Sequence, residues 1–282
     1  MATVAVTHFS DRLAEAVERK RSQLVVGLDP VLERLPAGVD GDLETFCCGI
    51  VEATAGHAVA VKPQSAFFEA HGHEGVRAFE RVCAYAHAAG LLVIADAKRG
   101  DIGSTARAYA EAFIPLADAM TVNPYLGRDS LEPFVEACRL HGAGIFCLVK
   151  TSNPGGADLQ DAPLGDGRPV WQRVAELVRE LGDGLVGEHG LSSVGAVVGA
   201  TFPSEVAEAR RLLPRTPFLL PGIGAQGGVP EDLAAAFAAG PASALVSASR
   251  SVIYASSGEN WREAAAAESE RLARRIWSVS GA

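Results

Sequence analysis

The chain has 282 residues, 48% hydrophobic and 21% charged, with a formal net charge of -9. That is globular composition, at a length that needs neither metal nor disulfide to fold. The acidic balance argues against a nucleic-acid scaffold, yet leaves room for a small anionic ligand held by a few lysines and helix N-termini.

In chain order, the opening MATVAVTHFSDR has no basic region followed by a long apolar core, so no signal peptide is expected. The amphipathic stretch SDRLAEAVERKR (10–21) predicts a helix ahead of the first strand. Short aliphatic or β-branched runs then recur at 24–29, 58–62, 91–96, 119–123, 144–150, 194–200, 217–222 and 243–248. Each run is continuous rather than alternating, as parallel strands covered on both faces require. Between them lie stretches such as EGVRAFERVCAYAHAAG and PSEVAEARRLLPR, Ala-rich, with acids near their starts, which predict helices. Strand then helix, eight times, predicts an α/β protein, a (β/α)8 TIM barrel with the extra helix 10–21 capping its base; a doubly wound open sheet is the alternative. No linker divides the chain, so 1–282 reads as a single domain. No run approaches 18 uninterrupted apolar residues, so no membrane span is expected.

The five cysteines, Cys47, Cys48, Cys83, Cys138 and Cys147, contain no CxxC and sit in apolar segments. Buried free thiols in a reducing compartment, the cytoplasm, fit them. The connection 151–169, TSNPGGADLQDAPLGDGRP, is long and rich in Gly, Pro and Asp. It is either a surface decoration or a functional loop.

The strand ends carry charge. Strand one ends at Asp29, strand two at Lys62, strand three at Asp96 and Lys98, and strand five at Lys150 with Ser152 beyond it. In a barrel these ends form the active face, so Asp29, Lys62, Asp96 and Lys98 are expected at one mouth. Asp96 and Lys98 are two apart and share a side if the strand continues that far. Across the mouth, PGIGAQGG (221–228) follows strand seven and SASRS (247–251) follows strand eight. Glycines let backbone N–H groups approach a phosphate, and Gln226 and Arg250 supply further donors, so a phosphate monoester is expected here. His71 and His73 in EAHGHEG are closely spaced, but no further ligands complete a metal site, and none is expected.

These residues resemble the orotidine 5'-phosphate decarboxylase family. The resemblance rests on the D-x-K-x-x-D pattern of Asp96, Lys98 and Asp101, on GLDP at 27–30, VKPQSAFFEAHG at 61–72, DIGSTA at 101–106 and PGIGAQGG, in order along nearly the full chain. VKPQ-x-AFFE with the long fifth loop is similar to the bacterial subgroup that includes the mycobacterial enzymes (type 2). The resemblance implies conversion of orotidine monophosphate to UMP and carbon dioxide without metal or organic cofactor. It implies that Asp96 and Lys98 face the reacting carbon, with Lys98 as proton donor, and that Lys62 contacts ribose and holds the acid. Asp29 then contacts ribose, Ser152 the pyrimidine, and Gln226 and Arg250 the phosphate. It further implies a homodimer in which Asp101 and Thr105 reach the neighbouring site. Two rivals are a magnesium-dependent sugar-phosphate decarboxylase or hexulose-phosphate synthase, and a barrel that binds nucleotides without catalysis.

Overall fold

The computed structural model describes residues 7–36, 38–39, 41–223 and 228–281. Eight parallel strands close into one barrel in sequence order: β1 (Leu24–Leu28), β2 (Ala60–Pro63), β3 (Leu92–Arg99), β4 (Ala119–Val122), β5 (Gly144–Lys150), β6 (Val194–Val198), β7 (Phe218–Pro221) and β8 (Ala244–Ala248). β8 returns to pair with β1. The barrel expected from the apolar runs is therefore the fold, and the open sheet is not. Most ends shift by one or two residues from expectation. The exception is β3, which runs on through the charged stretch to Arg99.

The strands are buried on both faces, and each face has its own apolar cluster. On β1, Leu24, Val26 and Leu28 pack with the outer helices, while Val25 joins the other cluster. That second cluster fills the barrel with Ile94, Phe146 and Leu245 and continues into Phe9, Leu13 and Val17 of the helix Phe9–Lys20. The helix thus caps the base as expected. It has Asp11 in its first turn, Arg19 and Lys20 in its last, and ends where Arg21 turns left-handed at φ 48°. Its Phe9 ring meets Phe146 edge-on at 5.9 Å. Gly144 makes this possible, since a Cβ there would lie 2.3 Å from the Phe9 ring.

Polar ties hold the cap and the later helices in place. Arg12 donates to Asp118 Oδ1 at 2.8 Å and to the Gly142 carbonyl at 2.9 Å. The other Asp118 oxygen receives Val93 N–H at 2.9 Å and lies 2.9 Å from His87 Nε2. One carboxylate at the start of β4 therefore joins the cap, β3 and the helix Gly72–Ala88. On the far side, buried Arg210 has no carboxylate partner among the described residues; it donates to the carbonyls of Leu213, Thr216, Ala236 and Ser243 at 2.7–3.1 Å and lies over the Phe218 ring. Burial lowers its pKa to about 10.

Two connections have a more specific structure than their sequence signals. The element after β7, Pro230–Phe237, is a 3-10 helix rather than an α-helix. The connection 151–169 is not irregular throughout: it holds a 3-10 turn (Pro154–Gly156), a helical turn (Ala157–Gln160) and a bridge between Pro163 and Pro169. Among the described residues, no helix is long and apolar enough to cross a membrane. The cysteines are free thiols, four buried and Cys48 partly so.

Candidate active site

The barrel brings Lys62, Asp96 and Lys98 into one connected group at the C-terminal strand ends. Lys62 Nζ lies 2.5 Å from Asp96 Oδ2, and Lys98 Nζ pairs with Asp96 Oδ1. Lys62 and Asp96 are buried, whereas Lys98 is exposed, its side chain 43% accessible. Burial alone lowers the Lys62 pKa, but the carboxylates of Asp96 and Asp29 overcome it and the net direction is upward. Burial likewise favours a neutral Asp96, yet Lys62 and then Lys98 hold it well below the usual carboxylate range. Lys62 and Asp96 are therefore held in their charged forms, each by an oppositely charged partner.

The geometry of β3 explains how two residues from one strand converge. β3 pairs regularly with β4 at Ile94–Ala119 and Ala95–Met120, then slips, so that Arg99 faces Val122. Four residues of β3 advance against two of β4. Inside this bulge Lys98 is left-handed, φ 47°, which costs a non-glycine residue roughly 1–2 kcal/mol. Thr121 of β4 sits opposite. Its Oγ1 accepts from Lys98 N–H at 2.9 Å and donates to Asp96 Oδ1 at 3.0 Å.

A cavity of about 540 Å³ opens above this group, lined by Lys62, Asp96, Lys98, Thr121, Ser152 and Leu159 among others. That volume suits a small-molecule ligand, for which pockets of roughly 300–1,000 Å³ are usual. Ser152 reaches the wall because Gly199, just after β6, lies behind it, where a Cβ would stand 2.9 Å from the Ser152 Cα. A second cleft, about 470 Å³, lies against the base cap, but its Glu18, Arg21 and His189 are all exposed. Among the described residues, no three His, Cys, Asp or Glu side chains are grouped to hold a metal ion. His73 instead pairs with Glu74 on the surface.

The remaining expected residues are placed differently. Asp29 stands at the end of β1 outside the cavity wall, with Oδ1 buried and unpartnered among the described residues. Tyr254 shapes that turn, accepting from Val31 N–H at 2.7 Å and donating to the Asp29 carbonyl. Asp101 accepts from Ile102 N–H at 2.8 Å, and Thr105 is exposed in the first turn of the helix Gly103–Phe113; neither lines the cavity. Arg250 is exposed at the start of the short helix Arg250–Ile253, also outside the wall. Gln226 lies outside the described residues. Lys150 does not join the charged group; it is buried and pairs with Asp161 at 2.5 Å. The sequence reading missed Thr121, whose signal is a lone hydroxyl in the apolar strand AMTV, and Gln160, which carries none.

The comparisons with known proteins bear on these residues together. A model of the family described as "Orotidine 5'-phosphate decarboxylase / HUMPS family" matches residues 22–266, which take in all eight strands. A protein of Rhodopirellula baltica called orotidine 5'-phosphate decarboxylase is 47% identical over 278 residues, covering 91% of this chain and 92% of its own. One of the same name from Deinococcus radiodurans is 49% identical over 253 residues, covering 88% and 89%. The solved structure of Leishmania donovani OMP decarboxylase superposes with a TM-score of 0.80 at 35% identity, covering 98% of this chain and 100% of that one. With the barrel, the acid–lysine group at its mouth and these near-full-length matches in agreement, the chain belongs to the orotidine 5'-phosphate decarboxylase / HUMPS family of barrel enzymes.

Proposed function

We propose that this carboxy-lyase converts orotidine 5'-monophosphate to UMP and carbon dioxide, with Lys98 as the proton donor and no metal or organic cofactor. The observation that carries this reading is the chain Lys62–Asp96–Lys98, two ammonium groups on the two oxygens of one buried carboxylate. In the reaction the bond between C6 and its carboxylate carbon breaks, and the electron pair stays on C6. Carbon dioxide departs, and Lys98 gives a proton to C6. The pair lies in the ring plane, where no adjacent carbonyl accepts it, so a fixed ammonium beside C6 supplies the stabilisation. Lys98 then regains a proton from solvent, to which it alone of the three is exposed. Lys62 keeps Asp96 ionised throughout.

In this reading Asp29 and Lys62 hold the ribose, Ser152 the pyrimidine, and Gln226 and Arg250 the phosphate. Asp29 Oδ1 and Ser249 Oγ at neighbouring strand ends, unpartnered among the described residues, support a polar ligand there, since buried polar groups are rarely left unsatisfied. The working unit is a homodimer in which Asp101 and Thr105 serve the neighbouring site. Their position away from their own cavity and the exposed apolar Ile102 beside them support it. The free thiols fit a cytoplasmic setting, and the long fifth loop fits the type 2 subgroup.

The test is an absorbance assay of orotidine monophosphate on metal-stripped protein with chelator present. Turnover under these conditions is the expected result. Activity that disappears with chelator and returns with magnesium would overturn the reading and favour a metal-dependent sugar-phosphate enzyme. Binding of UMP without turnover would leave a nucleotide-binding barrel.

A further inference from the structure

We infer that Thr121 is a positioning residue for the decarboxylation proposed above: its hydroxyl locks the Asp96 carboxylate and the Lys98 backbone together, leaving the Lys98 ammonium as the moving part. Three observations carry this. Thr121 is the β4 residue facing the bulge where β3 slips its register. Its single hydroxyl bridges both members of the acid–lysine pair, accepting from Lys98 N–H at 2.9 Å and donating to Asp96 Oδ1 at 3.0 Å. It is 1% exposed and lines the cavity, so water has little access to compete for either bond.

The polarity of the bridge follows from the donor inventory. A threonine hydroxyl has one proton and two lone pairs. Lys98 N–H can only donate, so it occupies a lone pair. The hydroxyl proton is then directed to Asp96, which as a carboxylate can only accept. Asp96 Oδ1 thus has two donors, Thr121 and the Lys98 ammonium, while Oδ2 has Lys62. When the Lys98 ammonium leaves Asp96 to deliver its proton, Oδ1 keeps Thr121 and Oδ2 keeps Lys62. The carboxylate does not follow the lysine.

The same hydroxyl holds Lys98 in its left-handed conformation, φ 47°, by engaging its backbone N–H. Among the described residues the other non-glycine residue at positive φ is Arg21, which merely ends a helix. At Lys98 the unusual backbone aims a side chain, and Thr121 is the group fixing that aim.

The experiment compares Thr121→Val, which keeps the shape and removes the hydroxyl, with Thr121→Ser, which keeps the hydroxyl. The loss of one charge-assisted hydrogen bond predicts a fall in kcat of about 10- to 100-fold in the valine variant. Affinity for UMP should be unchanged, and the serine variant should recover most of kcat. Wild-type kcat in Thr121→Val overturns the inference. Equal losses in valine and serine variants overturn it too, because keeping the hydroxyl would then rescue nothing and the packing of the whole side chain would set the rate. Should Thr121→Val fail to fold, Thr121→Ser and Thr121→Ala also differ by one hydroxyl and carry the same comparison. Hydrogen exchange at the Lys98 amide gives a readout independent of turnover. Protection lost in valine and kept in serine supports the bridge; equal protection in both overturns it. An inactive wild type would instead remove the decarboxylase reading, while the exchange result would still decide the role of Thr121.

Discussion

Gln160 holds Thr151 by two hydrogen bonds, accepting from its N–H at 2.9 Å and donating to its hydroxyl at 2.7 Å. The neighbouring residues repeat the tie, with Lys150 on Asp161. Two consecutive residues at the end of β5 are therefore joined to two consecutive residues where the loop returns. The turn between them is closed at its neck, and Thr151 further donates to Asn153 Oδ1 at 2.6 Å. Ser152 is presented to the cavity from this closed neck, with Gly199 behind it.

Gln160→Ala should therefore act on the base end of a nucleotide. Affinity for UMP is expected to fall about 10-fold, the usual effect of losing one or two neutral hydrogen bonds. Affinity for ribose 5-phosphate should stay as it was. Calorimetric titration of both ligands checks this; an equal loss for both would show that the neck supports the whole mouth rather than the base.

Arg250→Ala should weaken phosphate capture. UMP binding is expected to fall about 10- to 100-fold, the scale of a charge-assisted contact, with uridine binding unchanged. If uridine loses as much as UMP, Arg250 is holding the strand end and not a phosphate. Gln226→Ala should give a milder version of the same contrast.

The shared-site proposal is tested by mixing two inactive proteins, Lys98→Ala and Asp101→Ala, and allowing subunits to exchange. If Asp101 serves the neighbour, a mixed dimer has one doubly defective site and one intact site. A random equal mixture then has half its dimers mixed, and recovers about a quarter of wild-type activity. If both residues serve the same chain's site, every site stays defective. A flat result, with exchange confirmed by a tag, would place Asp101 in its own chain's machinery or outside catalysis.

Asp118 makes stability depend on acid. Burial would raise its pKa, but the hydrogen bonds from His87, Val93 N–H and Arg12 outweigh that, and the net direction is downward. An aspartate in the unfolded chain titrates near pH 3.9, roughly. Because the folded value is lower, the stabilisation is complete above the unfolded pKa and disappears as pH falls through the folded one. Asp118→Asn should cost about 1–3 kcal/mol at neutral pH, as a broken buried network does. The melting-temperature gap to wild type should then narrow from about pH 5 downward. A gap that widens on acidification would mean that the network is not held by an ionised Asp118.

The barrel was legible because its strands are buried on both faces and so read as unbroken apolar runs, such as GIFCLVK at 144–150. The acid–lysine group was legible because a charge at the end of such a run has few structural uses. Thr121 was not, because its role depends on the slip between Ala95 and Arg99, which no periodicity encodes. Lys150 was noted only as a charge at a strand end; its partner, Asp161, lies in a loop whose folding could not be foreseen. Asp101 and Thr105 were recognised by motif alone, and one chain places them away from its own cavity.

Among the described residues, Phe9, seated over Gly144 with Leu13 and Val17 against the filled barrel, closes the base and leaves the cavity open at the opposite end. Incoming substrate, departing nucleotide and the released gas must all use the end where the Thr151–Gln160 neck stands. Traffic there is a queue rather than a flow-through. A substitution that stiffens or blocks that threshold, at exposed Leu159 for instance, would register as delayed departure of product while the bond-breaking step kept its own pace.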